Sequence, residues 1–390
     1  MAKPTTNKLT YAASGVDIDT ADKAKLKMAD VVAKGSDRVL NRVGAFASLF
    51  DISFPKMRHP ILVCKTEEPG SKQKLSIDRG RVEDICRDMI NHLTNDILVM
   101  GATPLAVQDA IICGKFDPEI IGRLVKGMAA ACKENGSVLT GGETSEQPNV
   151  VSAGTYILTS SIIGVVEKDE IIDGSGITAG DTVLAVASNG VHTNGYSFLR
   201  RMMADDPALE TSLVAGETFM DAILRPHKAY YPALSPILNN PNAGNSGQWT
   251  VESGQSKDKK NNCQLSTVNC QLKADLHGMA HITGGGIAGN LNRILPDGLD
   301  AEIDLSKWRV LPIFDLIKKK TGTDDLELLK TFNMGVGLTV VVKPASAQKF
   351  IEHFNSHGAN AYELGKIVTG GTKKVRFTGE IKYGSTASFR

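Results

Sequence analysis

Short runs of branched, apolar residues alternate along this chain with longer segments whose apolar residues recur every three or four positions. That alternation constrains the fold more than any other feature, because a run buried on both faces needs helices laid over it. "HPILVCKT" (59–66), "PLAVQDAIIC" (104–113), "YILTSSIIGVVE" (156–167) and "TVLAVAS" (182–188) read as strands. Between them, residues 82–100 carry Ile85, Met89, Leu93 and Ile97 on one helical stripe, and "DPEIIGRLVKGMAAACKENG" (117–136) has proline early and glycine at its end. "DKAKLKMADVVAKG" (22–35) and "YSFLRRMMA" (196–204) add helices, and "SVLTGGETSEQP" (137–148) reads as a strand running into a glycine turn. The pattern predicts an α/β (α+β) protein.

At 390 residues there is length for two domains, and a Gly-, Ser- and Asp-dense connector at 170–181 divides them. The division is a flexible segment at 1–21, an N-terminal domain at 22–172 and a C-terminal domain at 173–390. Within the second, residues 239–273 are so rich in Asn, Ser, Gln and Gly that they read as a polar insertion, unable to bury enough apolar area to offset ordering. With 44 basic against 43 acidic residues, no charge excess points to nucleic acid or a membrane surface. No apolar run approaches a membrane span, so a cytoplasmic location is expected. The six cysteines lack metal-ligand or disulfide-framework spacing and read as reduced thiols.

"HITGGGIAGN" (281–290) formally contains G-x-G-x-x-G through Gly284, Gly286 and Gly289. A dinucleotide fingerprint needs an unbroken apolar strand before the first glycine and a long helix after the last. Here Gly278 interrupts the approach and Pro296 follows seven residues after Gly289, so that reading fails. No G-x-x-x-x-G-K-[ST] occurs either. Four stretches combine glycine with polar side chains suited to phosphate: "TGGETSE" (140–146), "SNGVHTNGYS" (188–197), "HITGGG" (281–286) and "FNMGVG" (332–337). Carboxylates at Glu67, Asp88, Asp96, Glu143 and Glu146 sit after strands or on a helix face, and the helical repeat lets Asp88 share a face with Asn95 or Asp96. Taken singly these are ordinary solvated acids, and His192 and His281 ordinary turn residues. Together they indicate a phosphorylated ligand bound with magnesium.

The blocks "YAASGVDIDTAD", "NDILVMGATPL", "GKFD", "GGETSEQP", "GVVEKDEIIDGS", "SNGVHTNGYSFLR", "HITGGG" and "TFNMGVGL", in this order between Tyr11 and Val368, resemble the phosphoribosylformylglycinamidine cyclo-ligase (AIR synthetase) family of purine biosynthesis. Its superfamily relatives include selenophosphate synthetase, thiamine-monophosphate kinase and a hydrogenase-maturation protein. The resemblance implies a two-domain AIR-synthetase-like fold whose N-terminal domain joins a twin through a dimeric β-barrel, with a C-terminal α/β domain and the active site between them. It implies a homodimer that uses ATP and Mg²⁺ to convert formylglycinamidine ribonucleotide to aminoimidazole ribonucleotide, releasing ADP and phosphate. On this basis Asp88, Asp96 and Glu67 are expected to hold metal. Thr66, Glu67, Asn95, Asp96, Gly141, Gly142 and Glu143 are expected on the nucleotide, and Gly284, Gly285 and Gly286 on the substrate phosphate. His192, Asn194 and Lys72 are the expected catalytic residues, with His192 moving the proton.

The chain departs from the family at one strand end, where the usual Thr-Asp-Gly-Val-Gly-Thr-Lys is Thr66-Glu67-Glu68-Pro69-Gly70-Ser71-Lys72. Glu67 moves its charge outward by a methylene, Glu68 adds a charge, and Pro69 removes a possible N–H donor. Ala45 in "VGAFASLF" replaces a second glycine, and "EQPN" replaces the customary Glu-Met-Pro-Gly. These changes fall on the nucleotide side. They keep two alternatives open: a non-catalytic relative that binds nucleotide or a purine intermediate, and a superfamily kinase of another small molecule.

Overall fold

The computed structural model describes residues 31–32, 36–41, 45–238 and 271–384. The segment 1–21, nearly all of the helix expected over 22–35, and residues 239–270 of the polar insertion, with Cys263 and Cys270, lie outside the described residues.

In the first half, strands β1 (Pro60–Glu67), β2 (Thr103–Cys113), β3 (Val138–Glu146) and β4 (Tyr156–Glu167) form one sheet in the order β1-β4-β2-β3. The β2–β3 pair is parallel and the others antiparallel. Helices α1 (Lys72–Asp78), α2 (Val82–Leu98) and α3 (Pro118–Glu134) alternate with the strands. Asp117 caps α3 by accepting from the Glu119 and Ile120 amides, with Pro118 supplying the fixed φ of a first helical position. The stripe Ile85, Met89, Leu93 and Ile97 packs with Val107, Ile111, Leu158 and Ile162 of the sheet in one buried cluster. The opposite face of the sheet has little cover: Leu62 is 49% and Ile163 40% exposed.

The second half holds a six-stranded sheet in the order β12-β9-β11-β5-β10-β8. Its members are β5 (Thr182–Ala187), β8 (Leu276–His281), β9 (Leu299–Asp304), β10 (Val336–Val342), β11 (Ala361–Thr369) and β12 (Val375–Thr378), while the short strands β6 (Leu213–Val214) and β7 (Glu217–Thr218) pair with each other apart from it. β5 and β10 are buried at every position, which is why "TVLAVA" and "VGLTVVV" carry no polar alternation. Only the β12–β9 pair is parallel. The fold is therefore mixed α/β with two mixed sheets. Among the described residues neither sheet closes into a barrel; the four-stranded sheet is open, with β1 and β3 at its edges.

Two local expectations are corrected. "TGGETSE" is strand rather than turn, since β3 runs on to Glu146. Gly141, with φ +148°, sits where the β2–β3 register slips between Val107 and Gln108, so these glycines serve a bulge. The second correction concerns α2, which is buried nearly all round because a polar face docks on the second half. Lys72 Nζ and the His227 amide both donate to Asp88 Oδ1 at 2.8 Å. Asn91 Nδ2 donates to the His227 carbonyl at 2.6 Å, Asn95 Nδ2 to the Lys228 carbonyl at 2.9 Å, and Asn95 Oδ1 accepts from the Tyr230 amide at 3.0 Å. Segment 225–230 is thus fastened to α2 by hydrogen bonds that satisfy an otherwise buried backbone.

Candidate active site

Asp96 follows Asn95 on α2 and points toward the end of β8. There Asp96 Oδ1 accepts a 2.7 Å hydrogen bond from His281 Nδ1, and Lys65 Nζ of β1 bridges Asp96 Oδ2 at 3.1 Å and Glu67 Oε2 at 3.0 Å. His92, one helical turn before Asp96, brings Nε2 to 3.7 Å from Asp96 Oδ2 and 3.9 Å from Glu67 Oε2. Burial alone would raise the Asp96 carboxyl, but the His281 hydrogen bond, the charge His281 and His92 carry when protonated, and the Lys65 ammonium hold it well below the usual carboxylate range. Burial, and then the neighbouring His281, push His92 down to about 4, so it is a neutral imidazole near pH 7.

The cluster continues inward. His281 Nε2 and His227 Nε2 lie 2.8 Å apart, and the His227 ring stacks on His192 with centroids 3.9 Å apart. In its neutral tautomer, His281 donates from Nδ1 to Asp96 and accepts at Nε2 from His227. His192 Nε2 faces both Asn189 Oδ1 at 3.0 Å and the Lys228 amide, which donates to it at 3.5 Å, while its buried Nδ1 has no partner among the described residues. Burial, then the charge of a neighbouring imidazole, hold both His192 and His227 well below the ordinary histidine value. Four of the chain's eight histidines meet here, from α2, the turn after β5, segment 225–230 and the end of β8.

Three of the four glycine-rich stretches converge on this cluster. His192 has φ +62°, a left-handed conformation uncommon outside glycine, which histidine tolerates better than most residues. Asn333 of the 332–337 turn donates to the Gly190 and Val191 carbonyls, clamping the 188–197 turn. A Cβ at Gly337 would meet the Tyr230 hydroxyl at 2.0 Å and His192 Cε1 at 2.8 Å, so glycine there is what admits both rings. A Cβ at Gly284 would lie 3.4 Å from Asn194 Nδ2, which puts Asn194 beside the exposed corner formed by Gly284 and Gly285. Gly286 is different: buried at φ +61°, it packs against the Leu329 carbonyl and serves the fold.

Other expected site residues fall elsewhere. Asp88 and Lys72 are fully buried against each other, and Lys72 also donates to the Arg225 carbonyl at 2.8 Å. Burial pushes the Asp88 carboxyl up to about 6 against the pull of Lys72. The helical repeat puts Asp88 on one face with Asn95, and segment 225–230 covers that face, so no oxygen of Asp88 reaches the surface. Glu143 pairs in register with Ala110, and Ala110 with Thr159, on the same side of the sheet as exposed Ile163. Glu143, with Gly141 and Thr66, which bonds Ser161, therefore lies across the sheet from Asp96. Gly142 is exposed next to Asp109 in the same strand pair. Sequence reasoning missed His92, Lys65 and His227. The four-residue spacing of His92 and Asp96 was a usable signal; nothing local marks His227.

Comparison with known proteins bears on this geometry. Residues 60–166 match the family model described as AIR synthase related protein, N-terminal domain, and residues 178–378 its C-terminal counterpart. A curated phosphoribosylformylglycinamidine cyclo-ligase of Nitrosococcus oceani is 36% identical over 92% of this chain and 92% of its own. That of Bacillus cytotoxicus is 33% identical over 96% of this chain and 99% of its own. The chain belongs to the phosphoribosylformylglycinamidine cyclo-ligase family. Among solved structures, Escherichia coli HypE is similar in fold at TM-score 0.61 and 15% identity, covering 92% of this chain and 94% of its own. Thiamine-monophosphate kinase from Stenotrophomonas maltophilia is similar at TM-score 0.57 and 17% identity, covering 94% and 96%. Within this cyclo-ligase family fold, the imidazole and carboxylate cluster lies where the two halves meet.

Proposed function

We propose that this chain closes the imidazole ring of aminoimidazole ribonucleotide from formylglycinamidine ribonucleotide, using one ATP. The observation that carries the reading is the relation to curated cyclo-ligases across nine-tenths of both chains. Amide oxygen is a poor leaving group. Transfer of the γ-phosphoryl group to the formyl amide oxygen makes a phosphorylated intermediate, the amidine nitrogen attacks the same carbon, and the C–O bond breaks with loss of phosphate. The nitrogen sheds a proton as the ring forms. His192, which burial holds neutral where the two halves meet, is the acceptor in this reading.

Asp96 and Glu67 already share one cation, the Lys65 ammonium, and their oxygens fit magnesium. Bound there, the ion supplies neutralisation of phosphate charge. The Gly284–Gly285 corner admits the ribose phosphate, with Asn194 alongside as a donor. The exposed face carrying Leu62 and Ile163 supports pairing with a second copy, which would bury it and complete a barrel. Unpaired Cys64, Cys86, Cys113 and Cys132 fit the reducing cytoplasm, and no described helix is long and apolar enough to cross a membrane.

ADP release should depend on formylglycinamidine ribonucleotide when ATP and magnesium are supplied. ATP bound without turnover would instead favour a binding-only relative, and turnover with another acceptor a kinase.

A further inference from the structure

We propose that His92, Asp96 and His281 form a site for a transition-metal dication of the zinc type, tying helix α2 to strand β8. One ligand atom from each, an imidazole nitrogen or a carboxylate oxygen, lies within 4.8 Å of the others, and all three residues are buried or half-buried. Ligands around a tetrahedral zinc at 2.0–2.1 Å stand about 3.3 Å apart, so the ion is admitted by side-chain shifts on the order of an ångström.

Three further observations distinguish this cluster from a chance meeting of polar groups. First, each imidazole has its other nitrogen anchored: His281 Nε2 by His227 at 2.8 Å, and His92 Nδ1 by Thr193 Oγ1 at 3.3 Å. Anchoring of the distal nitrogen is how proteins fix the ring orientation and tautomer of a metal-ligating histidine. Second, a cation already sits at the cluster. The Lys65 ammonium between Asp96 and Glu67 is half-exposed and can swing to solvent, leaving two carboxylates for a divalent ion, with Glu67 as fourth donor. Third, the proton inventory closes. Metal on His281 Nδ1 moves that proton to Nε2, which then donates to His227 Nε2, while the His227 proton passes to its unpartnered Nδ1.

Two imidazoles and a carboxylate select zinc-like ions over magnesium, which prefers an all-oxygen shell. The ion would also compete with magnesium–nucleotide for Asp96 and Glu67, so the inference touches the proposed function at those two residues but does not depend on it.

The test titrates zinc sulfate into chelator-stripped full-length protein without nucleotide, against a chromophoric competitor, and repeats it with cobalt(II) to read ligand-field bands. One equivalent is expected, bound at least ~100-fold more tightly than magnesium, with cobalt bands of a nitrogen-containing site. His92→Ala and His281→Asn should each weaken zinc by ~100-fold or more, and Thr193→Ala by about 10-fold, as loss of an outer partner does. His92→Gln provides a second variant should the alanine change unfold the protein. His357→Ala removes the exposed His353–His357 pair one helical turn apart and should change nothing. Zinc binding that survives His92→Ala and His92→Gln, is lost in His357→Ala, or is absent from the wild-type chain overturns the proposal. Failure of ADP release with zinc binding intact would count against the proposed function alone.

Discussion

Replacing Lys72 by methionine keeps most of the side-chain volume and removes the cation that, alone among the described residues, bonds Asp88, whose carboxylate is fully buried. The variant must either bury an uncompensated carboxylate or protonate it. Protonation sets the ceiling on the cost: from an ordinary value of 3.8, a proton bound at pH 7 costs 1.36 kcal/mol per unit over about three units, or about 4 kcal/mol. This falls in the ~3–5 kcal/mol range for breaking a buried pair by removing one partner. The pH dependence follows with a definite sign. In the variant the folded-state value of Asp88 lies far above its unfolded value, so the folded state binds the extra proton and gains relative stability as pH falls. Because wild-type Asp88, pushed up to about 6, takes up its own proton within this window, the deficit against wild type should shrink by about 1.4 kcal/mol in all, from about 4 kcal/mol at pH 7 to about 3 kcal/mol at pH 5. Urea unfolding of both proteins at the two values measures it. The double variant Lys72→Met/Asp88→Leu removes the charge with its partner and should lack the pH-dependent deficit, so its cycle with the singles isolates the pair. A deficit that is the same at pH 7 and pH 5, or below about 1 kcal/mol at both, would show that water reaches Asp88 and refute the reasoning.

Three other outcomes are expected. His192→Asn keeps a side chain tolerant of φ +62° while removing the proton acceptor, so kcat should fall ~10²–10⁴-fold with the KM for ATP little changed; unaltered kcat in a steady-state ADP assay would remove His192 from the chemistry. Gly286→Ala would put a Cβ 1.6 Å from the Leu329 carbonyl oxygen in a left-handed backbone, and chemical denaturation should show a loss of at least ~2 kcal/mol. Ile163→Lys places a charge on the uncovered face of the four-stranded sheet and, on the proposed pairing, should sediment as a monomer where wild type sediments as a dimer; a dimeric variant would put the interface elsewhere, and a monomeric wild type would remove the pairing.

The proposed chemistry rests on groups of very different legibility. His92 and Asp96 could be paired from the sequence, because four residues are one helical turn and both lie in a strongly periodic segment. The 188–197, 281–286 and 332–337 stretches were legible as glycine-dependent turns, since left-handed backbone at Gly195, Gly285 and Gly335 is a local steric requirement. Their convergence was not legible, because it depends on strand order, with β10 lying between β5 and β8. Where Asp88 and Glu143 come to lie was not legible for related reasons. A carboxylate's spacing says which neighbours share its face, but not whether that face meets solvent, a sheet or a second domain.

The sequence by itself determined the strands, the helices, their apolar stripes and the family, because these depend on side-chain period and steric preference over a few residues. Only the tertiary structure decided that segment 225–230 covers Asp88, that Glu143 lies across the sheet from Asp96, and that His227 meets His281 from 54 positions away. Such meetings form when separate hydrophobic faces dock and the intervening loops close, and no local pattern of residues encodes that free energy.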